Sequence, residues 1–327
     1  MPLGPRELIF VIVIPALAAL VILFVTRRVW LSRQVETGKT VGAWGGPLAA
    51  GIAFVIAYPS ITGSWRVIPP AESLAYLFLA VVVSALAGML DSRSHGATGL
   101  RLAGVCALAV VSTAAVLRFK FKSDWTPSQA NVMCLAIGAI AFLWWLAMDA
   151  SERDPASSSA MPWIAWMNCS TIAVVVMMNG GLKHGQLALA LAAAAGAGLL
   201  LSLLARRRIF LRGAAVVFAI IPVLIVVSAH YLADLSMFKA GLLLSTPIAV
   251  ALGRFIPTEH LRSSVRSLLR IAPTALLMAV ILIIAVRDFQ KSQSEIDPND
   301  PYGSLRETPR HASFHGLYQT PRPSRAA

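Results

Sequence analysis

Apolar residues run along this chain in long unbroken stretches, separated by short segments in which Arg, Lys, Gly, Ser and Pro collect. A helix needs about 20 residues to cross roughly 30 Å of hydrocarbon, and ten stretches come near that length. They cover approximately residues 8–26, 41–58, 73–90, 102–118, 131–148, 163–180, 186–205, 213–230, 240–253 and 271–287. Runs such as VVVSALAGML lack the apolar–polar alternation of a membrane β-strand, so the pattern predicts helices. The ninth stretch is short and holds Pro247, which predicts a kink or break in that span. The expected fold is all-α: a polytopic membrane protein with about ten transmembrane helices.

Composition agrees with the pattern. Of 327 residues, 57% are hydrophobic and 13% charged, more apolar surface than a soluble core of this size would use. The first stretch is followed, not preceded, by Arg27, Arg28 and Arg33, so it reads as a retained span and not as a cleaved signal peptide. With the amino terminus outside, most Lys and Arg of the loops face inward, and both termini are expected outside. Arg118, Lys120 and Lys122 depart from that rule. The net charge of +13 then serves to orient loops and meet anionic membrane lipids, and implies no nucleic acid. Cys106, Cys134 and Cys169 fall inside spans, where a thiol is a small packing group. From Arg287 the sequence turns rich in Pro, Ser and charge, which divides the chain into a membrane domain, 1–287, and a polar tail, 288–327, expected to be disordered.

The interiors of these spans hold no Asp, Glu, Lys or Arg, whereas ion-coupled transporters keep an ionisable group near the midplane. Asn168, Ser170 and Thr171 read as interhelical hydrogen-bond partners and not as ligands. The chemistry is therefore expected at the inner surface, where span ends carry AWGGPLAAG (43–51), GMLDSR (88–93), MDASERD (148–154), RRRIFLRG (206–213) and RFIPTEHLR (254–262). Asp91 and Asp149 are the carboxylates placed directly at span ends on that face. Each has a plain structural alternative: a helix cap or an ion pair with Arg93 or Arg101 for Asp91, and a pair with Arg153 for Asp149. Residues 254–270 form an amphipathic segment, with Leu261, Val265, Leu268 and Leu269 against Arg262, Arg266 and Arg270, suited to the membrane interface.

In order and on one face, these segments resemble the polyprenyl-phosphate N-acetylhexosamine-1-phosphate transferases, the glycosyltransferase family 4 group that includes phospho-N-acetylmuramoyl-pentapeptide transferase. The resemblance covers roughly residues 1–290. It rests on Gly45 and Gly46 opening the second span, on GMLDSR and RIFLRG, on Pro247 followed by Arg254, and on His260 in the loop where the family is His-rich. It implies a cell-envelope protein in the inner (plasma) membrane of a bacterium. It also implies magnesium-dependent transfer of a sugar phosphate from a UDP-sugar to a polyprenyl phosphate. Asp91 and Asp149 would then act as catalytic and magnesium-binding groups, with Gly45, Gly46, Arg208, Arg212 and His260 contacting substrate. Two phosphate-bearing anions must meet, so carboxylates hold the hard cation and basic residues offset the remaining charge.

The departures are equally specific. The family's Asp pair is reduced here to Asp91 followed by Ser92; Arg212 and Gly213 stand where a Gly-Asp step is expected; and the acid after Pro247 gives way to apolar residues ending at Val250. Loss of acids beside gained arginines weakens magnesium binding, so three readings stay open. They are a divergent transferase with an eroded metal site, a non-catalytic protein that binds polyprenyl phosphate or a partner, and a transporter or flippase. A homo-oligomer is compatible with each.

Overall fold

A computed structural model describes residues 4–37, 44–63, 70, 72–92, 98–153, 160–204, 213–256 and 263–294. Among them regular structure is helical throughout. A short helix α1 (Pro5–Leu8) runs through a π-helical segment (Ile9–Val13) into α2 (Ile14–Thr37). Then come α3 (Gly45–Thr62), α4 (Ser73–Asp91), α5 (Thr98–Val116), a short α6 (Arg118–Ser123), α7 (Pro127–Arg153), α8 (Ala160–Met178) and α9 (Leu182–Leu204). The order closes with α10 (Ala214–Leu232), α11 (Met237–Leu244), α12 (Thr246–Phe255) and α13 (Ser263–Ser294). Ten helical stretches among the described residues are long and apolar enough to cross a membrane, α11 and α12 together forming the ninth. The chain is an integral membrane protein, with ten candidate spans among the described residues.

The apolar residues divide between two surroundings. Large side chains such as Leu17, Val21, Val111, Val132, Leu135 and Leu276 stay exposed, as lipid-facing groups do. At the other extreme, α10 is apolar on every side, and Ala214 through Ala229 are all buried. A helix without a polar stripe belongs at the centre of a bundle, and α10 packs against α3, α4, α5, α7, α8, α9 and α11. Because lipid is as apolar as a side chain, helix association relies on close packing at small residues. Gly51 of α3 faces Ala85 of α4, and Gly138 of α7 faces Val110 of α5, each too close for an added methyl group.

The expected break in the ninth span is present. Helix α11 ends at Leu244 and α12 begins at Thr246, with Pro247 in its first turn, where a missing N–H removes no helical bond. Ser245 caps both pieces, and its N–H bonds to Gly241 O at 2.9 Å. Helices α5, α7 and α11 begin or end about a turn beyond the apolar stretches, and α4 closes just past its own, so Asp91, Arg101, Asp149 and Lys239 lie in helix ends and not in span interiors. Chain contacts divide the protein into Met1–Ala285 and Val286–Ala327. The first holds the described helices up to Ala285 in α13; in the second, residues 286–294 finish α13, and the remainder of the expected tail lies outside the described residues.

Candidate functional site

Three charged residues stand at helix ends of the wrong sign. The carboxyl end of a helix carries partial negative charge and the amino end partial positive charge. Asp91 nevertheless closes α4, Asp149 sits in the last two turns of α7, and Arg101 lies in the first turn of α5. None is favoured by its own helix, and all three are favoured by one another. The chain brings them together where α4 and α7 end and α5 begins.

The Arg101 guanidinium holds both carboxylates. Its Nε donates to Asp91 Oδ1, and its Nη2 donates to Asp91 Oδ2 at 2.9 Å. Nη1 donates to Asp149 Oδ2 at 3.3 Å, and Nη2 also donates to Asp149 Oδ1. One planar fork thus makes two bidentate grips, with a single nitrogen shared between the acids. The cluster is sequestered: Asp91 is 7% and Asp149 8% exposed. Below it lies Trp145, one turn before Asp149 on α7, with the guanidinium carbon 4.9 Å from the ring centroid. Buried acids, a delocalised cation and an aromatic face form one packed unit.

Glycine contacts fix this unit to the bundle. Gly213, with φ +81°, occupies the left-handed region at the amino end of α10, and its backbone packs on Gly88 one turn above Asp91. A Cβ on Gly88 would lie 2.4 Å from Gly213 O, and one on Gly213 would lie 2.1 Å from Gly88 O and 3.3 Å from Ser92 Cβ. The residue that follows Arg212 in the chain is therefore in contact with the last turn of α4. Gly45 and Gly46, expected at a substrate site, are buried at the start of α3, where a Cβ on Gly45 would fall 2.3 Å from Thr26 Oγ1. That closeness is a helix-packing contact with α2.

Of the residues expected at the site, Asp91 and Asp149 meet, while Arg208, Arg212 and His260 lie outside the described residues, as does Arg93. Arg101 was legible only as one alternative partner of Asp91, and its joint hold on Asp149 was not anticipated. The available signal was an acid closing one span and an arginine opening the next. Trp145 carried no signal beyond its apolarity.

As a metal centre the cluster is poorly disposed. Among the described residues no grouping of three or more His, Cys, Asp or Glu side chains could hold an ion. The two acids that could contribute ligands are gripped by a fixed cation, and a divalent ion between them would have to displace Arg101. The pair fits a guanidinium and does not fit a divalent ion.

The opposite membrane face carries a second set of polar contacts. Lys239, buried in the first turn of α11, donates from Nζ to Asn179 Oδ1 at 3.0 Å. His184 Nε2 and Ser228 Oγ are 2.9 Å apart, Arg118 donates to the Tyr76 hydroxyl at 2.8 Å, and Lys120 lies 5.6 Å from the Tyr231 ring centroid. Arg118 and Lys120, which depart from the charge rule for loops, belong to the short helix α6. Asp124 follows it outside the spans, and a hydrogen bond from Lys120 holds its carboxyl below the ordinary range. The thiols of Cys106, Cys134 and Cys169 are free and unpaired by disulfides.

No protein-family model matches the chain, and no curated protein matches it.

Proposed function

We propose that this chain is a divergent membrane protein of the phosphosugar-transferase type that has lost metal-dependent turnover. In this reading it binds a polyprenyl phosphate at the face carrying Asp91, Arg101 and Asp149. The distribution of Lys and Arg among the loops supports a cytoplasmic placement of that face, and the family resemblance supports a bacterial inner membrane. The observation that carries the loss of turnover is the guanidinium of Arg101 standing between the two acids. Magnesium prefers octahedral oxygen ligands, usually with several waters and substrate phosphate beside one or two carboxylates. A tethered cation in that place supplies charge balance but offers no open coordination position and polarises no phosphoryl oxygen.

Phosphate binding is supported by the chemistry around the cluster. RRRIFLRG (206–213) brings four arginines to the chain just before Gly213, which packs against the last turn of α4. Arg254 is exposed in the last turn of α12, at the end of the ninth span that is assigned to the same face. Basic side chains at the membrane surface recognise the headgroup phosphate while the prenyl tail stays in lipid.

The test uses the full chain in lipid nanodiscs. Polyprenyl phosphate is expected to bind with the same affinity in magnesium and in chelator, with no release of uridine monophosphate from UDP-sugars. Magnesium-dependent release of that product would return the active-transferase reading. Absence of any polyprenyl-phosphate binding would remove the lipid assignment.

A further inference from the structure

A second polar site lies deeper in the bundle, unrelated in residues to the charged cluster. At the face where α7 ends, Ala147, Ala160, Ile164, Val250 and Ile271 form a small apolar cluster joining α7, α8, α12 and α13. Helices α7 and α12 run toward that face, and α8 and α13 run away from it. Residues three or four apart stack on one helix face. One turn further into the membrane therefore come Trp144, Asn168, Thr246 and Thr274. All four are at most 1% exposed.

This layer is polar where lipid depth demands full satisfaction. Trp144 Nε1, both amide atoms of Asn168 and Thr274 Oγ1 are buried and find no hydrogen-bond partner within the protein. Thr246 Oγ1 donates to Leu243 O at 2.8 Å, which leaves its lone pairs to accept. The layer also meets the break between α11 and α12. An unpaired amide in an apolar medium costs roughly 4–8 kcal/mol against water, and irregular backbone at membrane depth is tolerated where it lines a polar or hydrated space. Asn168 alone combines two N–H donors with a carbonyl acceptor.

We infer that Trp144, Asn168, Thr246 and Thr274 enclose an internal hydration site, in which bound water joins the four helices at the break in the ninth span. The mixture of groups selects the ligand. A cation would need acceptors only, and the Trp144 N–H and Asn168 NH2 repel it. Water both donates and accepts, and buried water typically makes about three hydrogen bonds to such groups. At a helical rise of about 1.5 Å per residue, Trp144 lies roughly 7.5 Å below Asp149 along α7. Its neighbour Trp145 supports Arg101. The site thus lies beneath the charged cluster and does not depend on the function proposed for it.

The experiment is X-ray radiolytic hydroxyl-radical labelling of the full chain in detergent micelles, read by mass spectrometry. Bound water generates radicals in place, so Trp144 is expected to be oxidised despite its burial. In the double variant Asn168→Leu/Thr274→Val its labelling falls to the level of equally buried residues. No labelling of Trp144 in the parent, or labelling unchanged in the double variant, overturns the site. Should the double variant fail to fold, high-resolution cryo-electron microscopy of the parent decides. Density about 3 Å from the Asn168 amide and the Thr274 hydroxyl supports the site. A direct Asn168–Thr274 hydrogen bond without such density, or an ion held by oxygens at cation distances, overturns it.

Discussion

Removal of Arg101 is the most informative perturbation of this protein. Arg101→Met keeps a long apolar stem over Trp145 and deletes the guanidinium, so four hydrogen bonds to two carboxylates disappear together. Both acids are more than nine-tenths buried, and the helix ends on which they stand offer no compensating positive charge. Breaking a buried ion pair by deleting one partner costs about 3–5 kcal/mol, because a buried charge remains uncompensated. The cation–π contact adds roughly 1 kcal/mol. Arg101→Met is therefore expected to destabilise by about 4–6 kcal/mol at neutral pH. Asp91→Asn and Asp149→Asn leave the guanidinium paired with the other acid and should cost less, on the order of 1–3 kcal/mol each. The assay is equilibrium unfolding in mixed micelles by titration with a denaturing detergent, followed through tryptophan fluorescence. The reasoning also requires that Arg101→Met/Asp91→Leu/Asp149→Leu recover most of the loss, since an apolar trio leaves no charge behind. A cost below about 1 kcal/mol for Arg101→Met, or a triple variant no more stable than the single one, would refute the account.

Three further outcomes are expected. The parent protein should show no thermal stabilisation by magnesium or manganese, whereas Arg101→Ala, which frees two adjoining carboxylates, should gain stabilisation by millimolar manganese that chelator reverses; the same response in the parent would place a metal beside Arg101. Gly213→Ala should cost about 2 kcal/mol, combining a strained positive φ with a methyl group forced against Gly88 O. Gly88→Ala should also destabilise, and a thermal-shift measurement showing either variant neutral would mean that α4 and α10 part easily. Lys239→Met should be close to neutral or stabilising in unfolding assays, because a neutral side chain of similar length replaces a buried ammonium; a loss above about 3 kcal/mol would show the Lys239–Asn179 contact to be a stronger anchor than its geometry suggests.

The spans were legible because burial in lipid demands unbroken apolar runs, and no soluble context competes with that demand. Pro247 marked the broken ninth span for the same kind of reason: a residue without an N–H belongs in the first turn of a helix. Helix ends were less legible. Apolarity stops where headgroups begin, but backbone hydrogen bonding continues for another turn, which is why Arg101 and Lys239 fell outside the expected spans and inside the actual helices. Within the candidate site, the positions of Asp91 and Asp149 could be read, but their shared partner could not. Partner choice depends on which helix ends the bundle brings together, and Gly88 against Gly213 is a contact between residues far apart in sequence. The buried amide of Asn168 shows the opposite failure. Its residue type suggested an interhelical bond, and only packing reveals that none forms with protein.

Charge balance separates the two tasks that the proposed function assigns to this face. The cluster sets two carboxylates against one guanidinium, so acids outnumber bases among these three side chains, buried where interactions are weakly screened. A lipid phosphate would be repelled by that unit, and a divalent ion that could reverse the sign is kept out by the arginine already present. The cluster therefore acts as a structural tie between α4, α5 and α7, and the proposed function leaves phosphate recognition to the basic residues of the segments that join the helices. In consequence, polyprenyl-phosphate binding should survive Asp91→Asn yet weaken on combined replacement of Arg206, Arg207, Arg208 and Arg212 by Gln, with unchanged thermal stability. If instead Asp91→Asn strengthens binding severalfold while the four-arginine variant binds as the parent does, the phosphate meets the cluster directly, and the division of labour between tie and basic surface is wrong.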